Sequence, residues 1–189
     1  MSETIAAEIR VGGKVALSLV PDLCQRIAQE GVALDWGEGQ FSPTTKEDLL
    51  EAREDRDGAI LLCLYDDQAR FGEFAELETF LREQSVSFDR LSEAKYEYAA
   101  QIVSFRPDTG LVELPTDPQH RPIVLAEDLE PLGMSLSRLI RQIEQADVPK
   151  ALRAAKRADR SLKRLLPPKL PPLEPFEIVA EHSQEANRG

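Results

Sequence analysis

An unbroken apolar run followed by a helical pattern constrains the fold of this chain more than any other stretch. Residues Ile60 to Tyr65 read ILLCLY, and a short run of this kind predicts a buried β-strand. From Glu73 to Gln84, apolar side chains recur at helical spacing and predict an amphipathic helix. A buried strand that leads into such a helix is typical of an α+β domain. The side chains expected to be buried together are Ile60, Leu62, Leu64, Phe74, Leu77 and Leu81, with Leu23 and Ile27 nearby.

The residues before this stretch predict a strand pair and two helices. Gly12 and Gly13 stand between two short apolar runs, which favours a tight hairpin, although one strand with a glycine bulge would give the same pattern. The next helix is expected over 19–30, with Ser18 as its cap and Gly31 as its left-handed end. A short helix over 45–54 should begin at a capping box, with Thr44 or Thr45 as the cap and Glu47 or Asp48 three residues later.

The residues after this stretch alternate with a period of two and predict antiparallel strands. Val86 and Phe88 begin the pattern, which continues over 94–105 and passes through a Pro-Asp-Thr-Gly turn to 111–114. A short strand at 123–125 and a helical turn at 126–132 follow. The predicted fold is a two-layer α+β sandwich, a mostly antiparallel sheet with the helices on one face. The order of elements allows a ferredoxin-like topology.

Charge divides the chain into three parts, which we take as the domain organisation. Residues 1–135 carry 27 acidic and 12 basic side chains, a net charge of −15. Residues 136–166 form a basic helical extension, and 136–169 carry 10 basic and 3 acidic side chains. Residues 167–189 are a proline-rich tail that we expect to be partly disordered, with a short edge strand at 176–179.

The basic extension is predicted to contain two amphipathic helices. Leu136, Leu139, Ile140 and Ile143 mark the first, and Asp147 with Pro149 marks the start of the second. The basic side chains expected to contact a partner are Lys150, Arg153, Lys156, Arg157, Arg160, Lys163 and Arg164. They surround the second helix, whose apolar side we expect to be covered by protein.

No stretch carries a recognisable catalytic or cofactor motif. His120 and His182 have no plausible nucleophile near them in sequence, and we expect no cofactor and no metal site. The best candidate for catalysis is the polar elbow after the apolar run, with Asp66, Asp67 and Arg70. Paired carboxylates there could hold a divalent cation or divide acid and base roles between them. The alternative is a solvated turn.

Trp36 and the two cysteines complete the candidate residues. Trp36 lies among glycines in a loop, where its ring could cover the core or anchor a partner. Cys24 and Cys63 occupy apolar positions, as buried free thiols do. No apolar run has the length of a membrane span, so we expect a cytoplasmic protein that does not bind membranes.

These observations favour a non-enzymatic interaction or assembly protein. In this interpretation the acidic α+β body carries a basic C-terminal helix that docks on a protein partner or on a second copy. One alternative is a small enzyme with a carboxylate site at Asp66 and Asp67. The other is a protein that binds nucleic acid through the basic helix, although the acidic body would repel phosphate over the Debye length of about 8 Å.

Overall fold

The strand β1, Thr4–Gly12, lies inside a six-stranded sheet whose neighbours are all antiparallel. The structure is a computed structural model, and it describes residues 3–56, 58–96, 98–145, 147–166 and 168–180. The other strands of this sheet are β3 Arg53–Arg56, β4 Ala59–Arg70, β5 Ser87–Ser92, β6 Gln101–Arg106 and β7 Gly110–Pro115. Their order across the sheet is β3-β4-β1-β5-β6-β7.

Three helices cover one face of this sheet, which confirms the predicted α+β class. They are α1 Val20–Glu30, preceded by a single 3-10 turn, α2 Lys46–Glu51 and α3 Ala75–Glu83. Buried residues of all three helices share one apolar core with the alternate side chains of the central strands. The ferredoxin-like topology stays a prediction. Gly31 ends α1 at a φ of 74°, and Thr45 with Asp48 forms the capping box of α2, both as predicted.

The predicted nucleus is confirmed with one exception. Leu62, Leu64, Leu77 and Leu81 are fully buried in the main core. Alternation places Ile60 on the same face of β4 as Leu62, but Ile60 is only the second residue of the strand and is 40% exposed. The opposite face of β4 holds Leu61, Cys63 and Tyr65, which form a second, smaller apolar cluster.

The glycine pair does not form a hairpin, so that prediction was wrong. The strand after it, β2 Lys14–Ala16, pairs in parallel with a late strand, β8 Glu177–Val179. Gly13 has a φ of 84°, which turns the chain out of β1. A Cβ on Gly12 would collide with the carbonyl oxygen of Glu174, so this position admits only glycine without rearrangement.

Three strand boundaries also differ from the predictions. Arg53–Arg56 forms an edge strand, whereas the helix predicted over 45–54 was expected to include its first two residues. The strand expected from residue 94 begins at Gln101, because Tyr96 has a φ of 52° and Lys95 bridges to Tyr98. Residues 123–125 are not in a strand, whereas the hairpin between β6 and β7 forms as predicted.

The proline-rich segment returns to the body of the fold. Phe176 is fully buried in the main core, and its backbone N–H donates to the carbonyl oxygen of Ile60 at 2.8 Å. Leu173 joins the smaller cluster, and Arg106 Nε donates to the carbonyl oxygen of Pro171 at 3.0 Å. Pro167 and residues 181–189, which include His182, lie outside the described residues.

The chain divides into two compact units. The first takes in the described residues within 1–121 and 170–189, and the second takes in those within 122–169. The second unit contains α4 Ala126–Glu144 and α5 Val148–Leu165. The predicted helical turn and first helix are therefore one continuous α4, which spans Pro131 and the proposed boundary between residues 135 and 136.

Candidate interaction surfaces

The helices α4 and α5 form an antiparallel hairpin packed through small side chains. Only the short connection from Gln145 to Asp147 separates the two helices, which contact each other along their length. The buried residues of α5 are Ala151, Ala154 and Ala158, and the buried residue of α4 is Ser135. Their spacing of three and four residues is that of a coiled-coil seam, and small side chains there let the two backbones approach closely. When the same spacing is continued, the seam positions are 128, 132, 135, 139 and 142 on the side of α4, and 147, 151, 154, 158, 161 and 165 on the side of α5.

The seam positions determine to which side of the hairpin each remaining side chain projects. A helix rotates by about 100° per residue. Because the two helices run in opposite directions, residues that follow a seam position by one project to the same side of the hairpin in both. Residues that precede a seam position by one project to the other side. The hairpin therefore has two broad faces of different composition.

One side is an apolar face. Its members each follow a seam position by one and expose between 43% and 72% of their surface. They are Leu129, Leu136, Ile140 and Ile143 of α4, Val148, Leu152 and Leu162 of α5, and Leu166 at the end of α5. We call this set the apolar face. Monomeric proteins rarely leave a continuous apolar surface of this size open to water.

The other side is a basic face. Its members each precede a seam position by one, and they are Arg138, Arg141, Lys150, Arg153, Arg157, Arg160 and Arg164. A hollow of about 140 Å³ lined by Arg138 of α4 and by Lys150, Arg153 and Arg157 of α5 shows that the two helices contribute to the same side. We call this set the basic face.

The seven predicted basic residues of α5 thus separate into two groups, whereas the sequence suggested that they surround the helix. Five lie on the basic face. Lys156 and Lys163 lie on the outer edge of α5, opposite the seam, and Lys163 pairs with Asp159 at 2.9 Å. Lys150 pairs with Asp147 at 2.8 Å, and the hydrogen bond from this ammonium lowers the pKa of Asp147. The role of the seven basic residues of α5 in binding a partner stays a prediction.

The polar elbow is part of a strand, which corrects its prediction as a turn. Asp66, Asp67 and Arg70 all belong to β4, and the chain turns after them, where Phe71 and Gly72 have φ values of 57° and 69°. The strand continues because residues 66–70 pair with the beginning of β1 across an irregularity in register.

Asp66 and Arg70 line an open hollow of about 400 Å³, and Asp67 is not among the residues around it. The other acidic side chains there are Glu30, Glu73 and Glu76. Glu30 accepts hydrogen bonds at 2.9 Å from the backbone N–H groups of Glu76 and Leu77, so its carboxylate satisfies the first turn of α3.

Burial raises the pKa of Glu30, and the nearby carboxylates of Glu76 and Asp66 add to that shift against the two hydrogen bonds. Among the described residues, no group of three or more His, Cys, Asp or Glu side chains is placed to hold a metal ion. The arrangement therefore amounts to a helix cap beside a solvated acidic hollow. Catalysis at Asp66 and Asp67 stays a prediction.

Trp36 is 44% exposed, so its ring does not lie in the core. Its ring meets the ring of Tyr65 edge-on, with centroids 5.0 Å apart. One side of the indole is covered by the body and the rest faces solvent. A role for Trp36 as a partner anchor stays a prediction.

A polar network on the sheet face opposite the helices was not foreseen. The hydroxyl of Tyr65 donates to Glu54 Oε1 at 2.7 Å and accepts from the Arg56 guanidinium. Burial raises the pKa of Tyr65 and raises the pKa of Cys63 to about 12, and the adjacent Glu54 acts in the same direction on both. The network fixes the edge strand β3 on β4 and leaves Cys63 as an inert thiol.

The strand β3 carries this network, and its sequence, Arg-Glu-Asp-Arg, has no apolar residue to reveal it. The apolar face of the hairpin could have been found from the sequence. Leu129, Leu136 and Ile143 recur every seven residues, beside seam positions that also recur every seven.

No family model, curated protein or solved structure matches the chain. Within the described residues, no helix is both long and apolar enough to cross a membrane.

Proposed function

We propose that this chain is an interaction or assembly protein that binds protein through the apolar face of its α4–α5 hairpin. The observation that carries the proposal is the exposure of eight large aliphatic side chains on one side of the hairpin. Two antiparallel helices that leave such a face open resemble half of a helical bundle, and another protein surface is its natural cover.

The distribution of charge supports docking on protein rather than on lipid. Helices that lie on a membrane keep their lysines and arginines near the headgroups beside the inserted apolar residues. Here five of the seven basic residues of α5 project from the side of the hairpin opposite the apolar face. An apolar face inserted into lipid would point those residues away from the anionic headgroups.

The test compares full-length variants that differ at one exposed position of α4. Leu136→Asp places a charge on the apolar face, and Met134→Asp makes a comparable change at a residue that is 64% exposed on the other side. Tagged wild type and Met134→Asp should capture the same proteins from the native cell, and Leu136→Asp should lose them. Identical capture by all three chains would refute docking through this face.

A second candidate function is nucleic-acid binding, favoured by the seven basic side chains on the basic face. Such a row can neutralise several phosphates of one strand without sequence specificity. The Arg153→Glu, Arg157→Glu variant removes charge from the basic face. The Lys156→Glu, Lys163→Glu variant makes the same change in charge on the outer edge.

Fluorescence anisotropy with duplex and single-stranded DNA at about 50 and 200 mM salt measures the phosphate contacts. This candidate expects binding that weakens steeply with salt and is lost only in the basic-face variant. Equal loss in the two variants would indicate general charge attraction and would contradict a dedicated surface.

A further inference from the structure

We infer that the occupant of the apolar face is the apolar face of a second copy of this chain, so that two hairpins form a four-helix bundle. This inference rests on the proposed function and names the partner. In a twofold dimer the same surface is used on both copies, and it must therefore be complementary to itself. Three properties of the apolar face decide whether it can pair with itself. They are its area, the charges at its edges and the position of the acidic residue within it.

The area of the face matches what a stable dimer needs. Its eight aliphatic side chains expose from 43% to 72% of their surface. Together they present on the order of 800 Å² per chain, which is the contribution of one partner to an interface of standard size. The composition is close to that of a homodimer interface, since the interior of the face is aliphatic apart from Asp159 and the other charged residues lie at its edges.

The charged edges select one of two possible twofold arrangements. The outer edge of α4 carries Glu130 and Glu144, and the outer edge of α5 carries Lys156 and Lys163. Residues that are equally distant from the connection lie at the same level of the hairpin, which places Glu130 level with Lys163. If α4 lies on α5 of the second copy, with both connections at the same end, Glu130 meets Lys163 twice in the dimer. If α4 lies on α4, Glu130 meets Glu144 and the two copies of Lys156 meet each other. Opposite charges favour the first arrangement.

Two residues that are not aliphatic also follow seam positions on this side of the hairpin, Asp159 of α5 and Gly133 of α4, and they lie at the same level. Asp159 follows the seam residue Ala158, and its carboxylate pairs with Lys163 of the same chain at 2.9 Å. Gly133 of α4 lies at the same level, and a Cβ built on it would contact nothing within 4 Å. With α4 on α5, Asp159 of each copy therefore meets the space above Gly133 of the other rather than a packed side chain. A polar residue at one such position fixes the register of helices at some cost in affinity.

The experiment uses the purified full chain and measures its mass by light scattering during gel filtration and by sedimentation. We expect twice the chain mass of 21.1 kDa at micromolar concentration. Ile140→Asp and Leu152→Asp should each shift dissociation to a concentration at least about 100-fold higher, because each buries two uncompensated charges per dimer. Met134→Asp should remain a dimer. Circular dichroism verifies that each variant retains its helices.

Cysteine pairs test the arrangement. When Ile140→Cys and Leu152→Cys chains are mixed, a short bismaleimide should join one chain to the other, since these positions are level on facing helices. Leu136→Cys alone should not cross-link, whereas it would if α4 lay on α4. The native Cys24 and Cys63 are buried and do not compete. Efficient cross-linking of Leu136→Cys without the mixed product would overturn the arrangement.

A monomeric wild type at about 100 µM would overturn the second copy as the occupant. If that monomer bound an apolar dye and Ile140→Asp did not, the face would be open for a different protein, and the proposed function would stand without this inference. A monomer that bound no dye would overturn both. A dimer that Ile140→Asp and Leu152→Asp left intact would place the interface elsewhere and would also overturn the inference.

Discussion

Phe176→Ala should destabilise the protein strongly, although residue 176 follows a proline-rich segment that looks dispensable in the sequence. Its side chain is fully buried in the main core. A phenylalanine buries about 150–250 Å², and at about 25 cal/mol per Å² this corresponds to about 4–6 kcal/mol for the whole side chain. Alanine retains part of that surface, so the expected loss is about 3–5 kcal/mol. Small domains are stable by only about 5–15 kcal/mol, so this is a large fraction of the total.

Urea denaturation followed by circular dichroism gives the free energy of unfolding of each variant. The matched control is Phe71→Ala, the same substitution at a ring that is 41% exposed, and it should cost less than about 1 kcal/mol. Equal effects of the two substitutions would show that the segment after α5 is not part of the core. A chain truncated before this segment should also be unstable, because it lacks the phenylalanine that fills the core, so the hairpin is tested by point variants.

Three further predictions concern the body. Leu62→Ala should cost about 2–5 kcal/mol and Ile60→Ala less than about 1 kcal/mol in the same urea experiment, because Leu62 is fully buried and Ile60 is 40% exposed. A cost at Ile60 as large as that at Leu62 would contradict this difference in burial. Cys63 should not react with a thiol reagent at about pH 8 until the chain unfolds, because burial raises its pKa to about 12. In a Cys24→Ser variant Cys63 is the one remaining cysteine, and rapid labelling of this variant while it is folded would contradict the prediction. Asp48 accepts hydrogen bonds from the backbone N–H groups before α2, and these hydrogen bonds lower its pKa from the ordinary 3.8. The carboxylate therefore contributes its full stabilisation above pH 3.8, and this contribution is lost as the pH falls through the pKa of the folded state. The difference in urea midpoint between wild type and Asp48→Asn should therefore shrink between about pH 7 and pH 3, and a difference that grew on acidification would refute the role of the carboxylate.

The parts of the fold that the sequence predicts are those in which local chemistry decides the structure. The capping box of α2 and the left-handed Gly31 depend on neighbouring residues, and both were predicted; the structure selects Thr45 and Asp48 from the two pairs that the sequence allowed. The apolar run at 60–65 predicts its own burial from composition, and residues 61–65 are buried, whereas Ile60, the second residue of β4, is exposed.

The errors arise where a distant segment decides the structure. Gly12 and Gly13 look like a hairpin, but Lys14–Ala16 pairs with residues that lie more than 160 positions later. Asp66 to Arg70 looks like a turn, but the start of β1 supplies pairing partners that keep it extended. Polar residues at a strand end do not reveal whether a neighbouring strand continues beside them.

The candidate surface was predicted in part. The amphipathic helices and the basic residues of α5 were visible in the sequence, whereas their separation into two faces depends on which side of each helix the hairpin buries. The alanines of α5 fill the seam, and this leaves leucines such as Leu152 and Leu162 in solvent. A single-helix pattern groups those alanines and leucines together and cannot distinguish the two roles.

The return of the chain to the body after the hairpin has a consequence for folding during synthesis. Phe176 packs into a core built from β1 and β4, and the side chain of Arg53 donates to its carbonyl oxygen across 123 residues of sequence. A ribosome releases the whole helical hairpin before it releases the residue that completes this core. The hairpin, whose contacts are local, can form first, and the body must wait with its apolar strands exposed. We expect the nascent body to depend on chaperones until residue 176 emerges, and the hairpin to be the earliest protease-resistant part of a stalled chain.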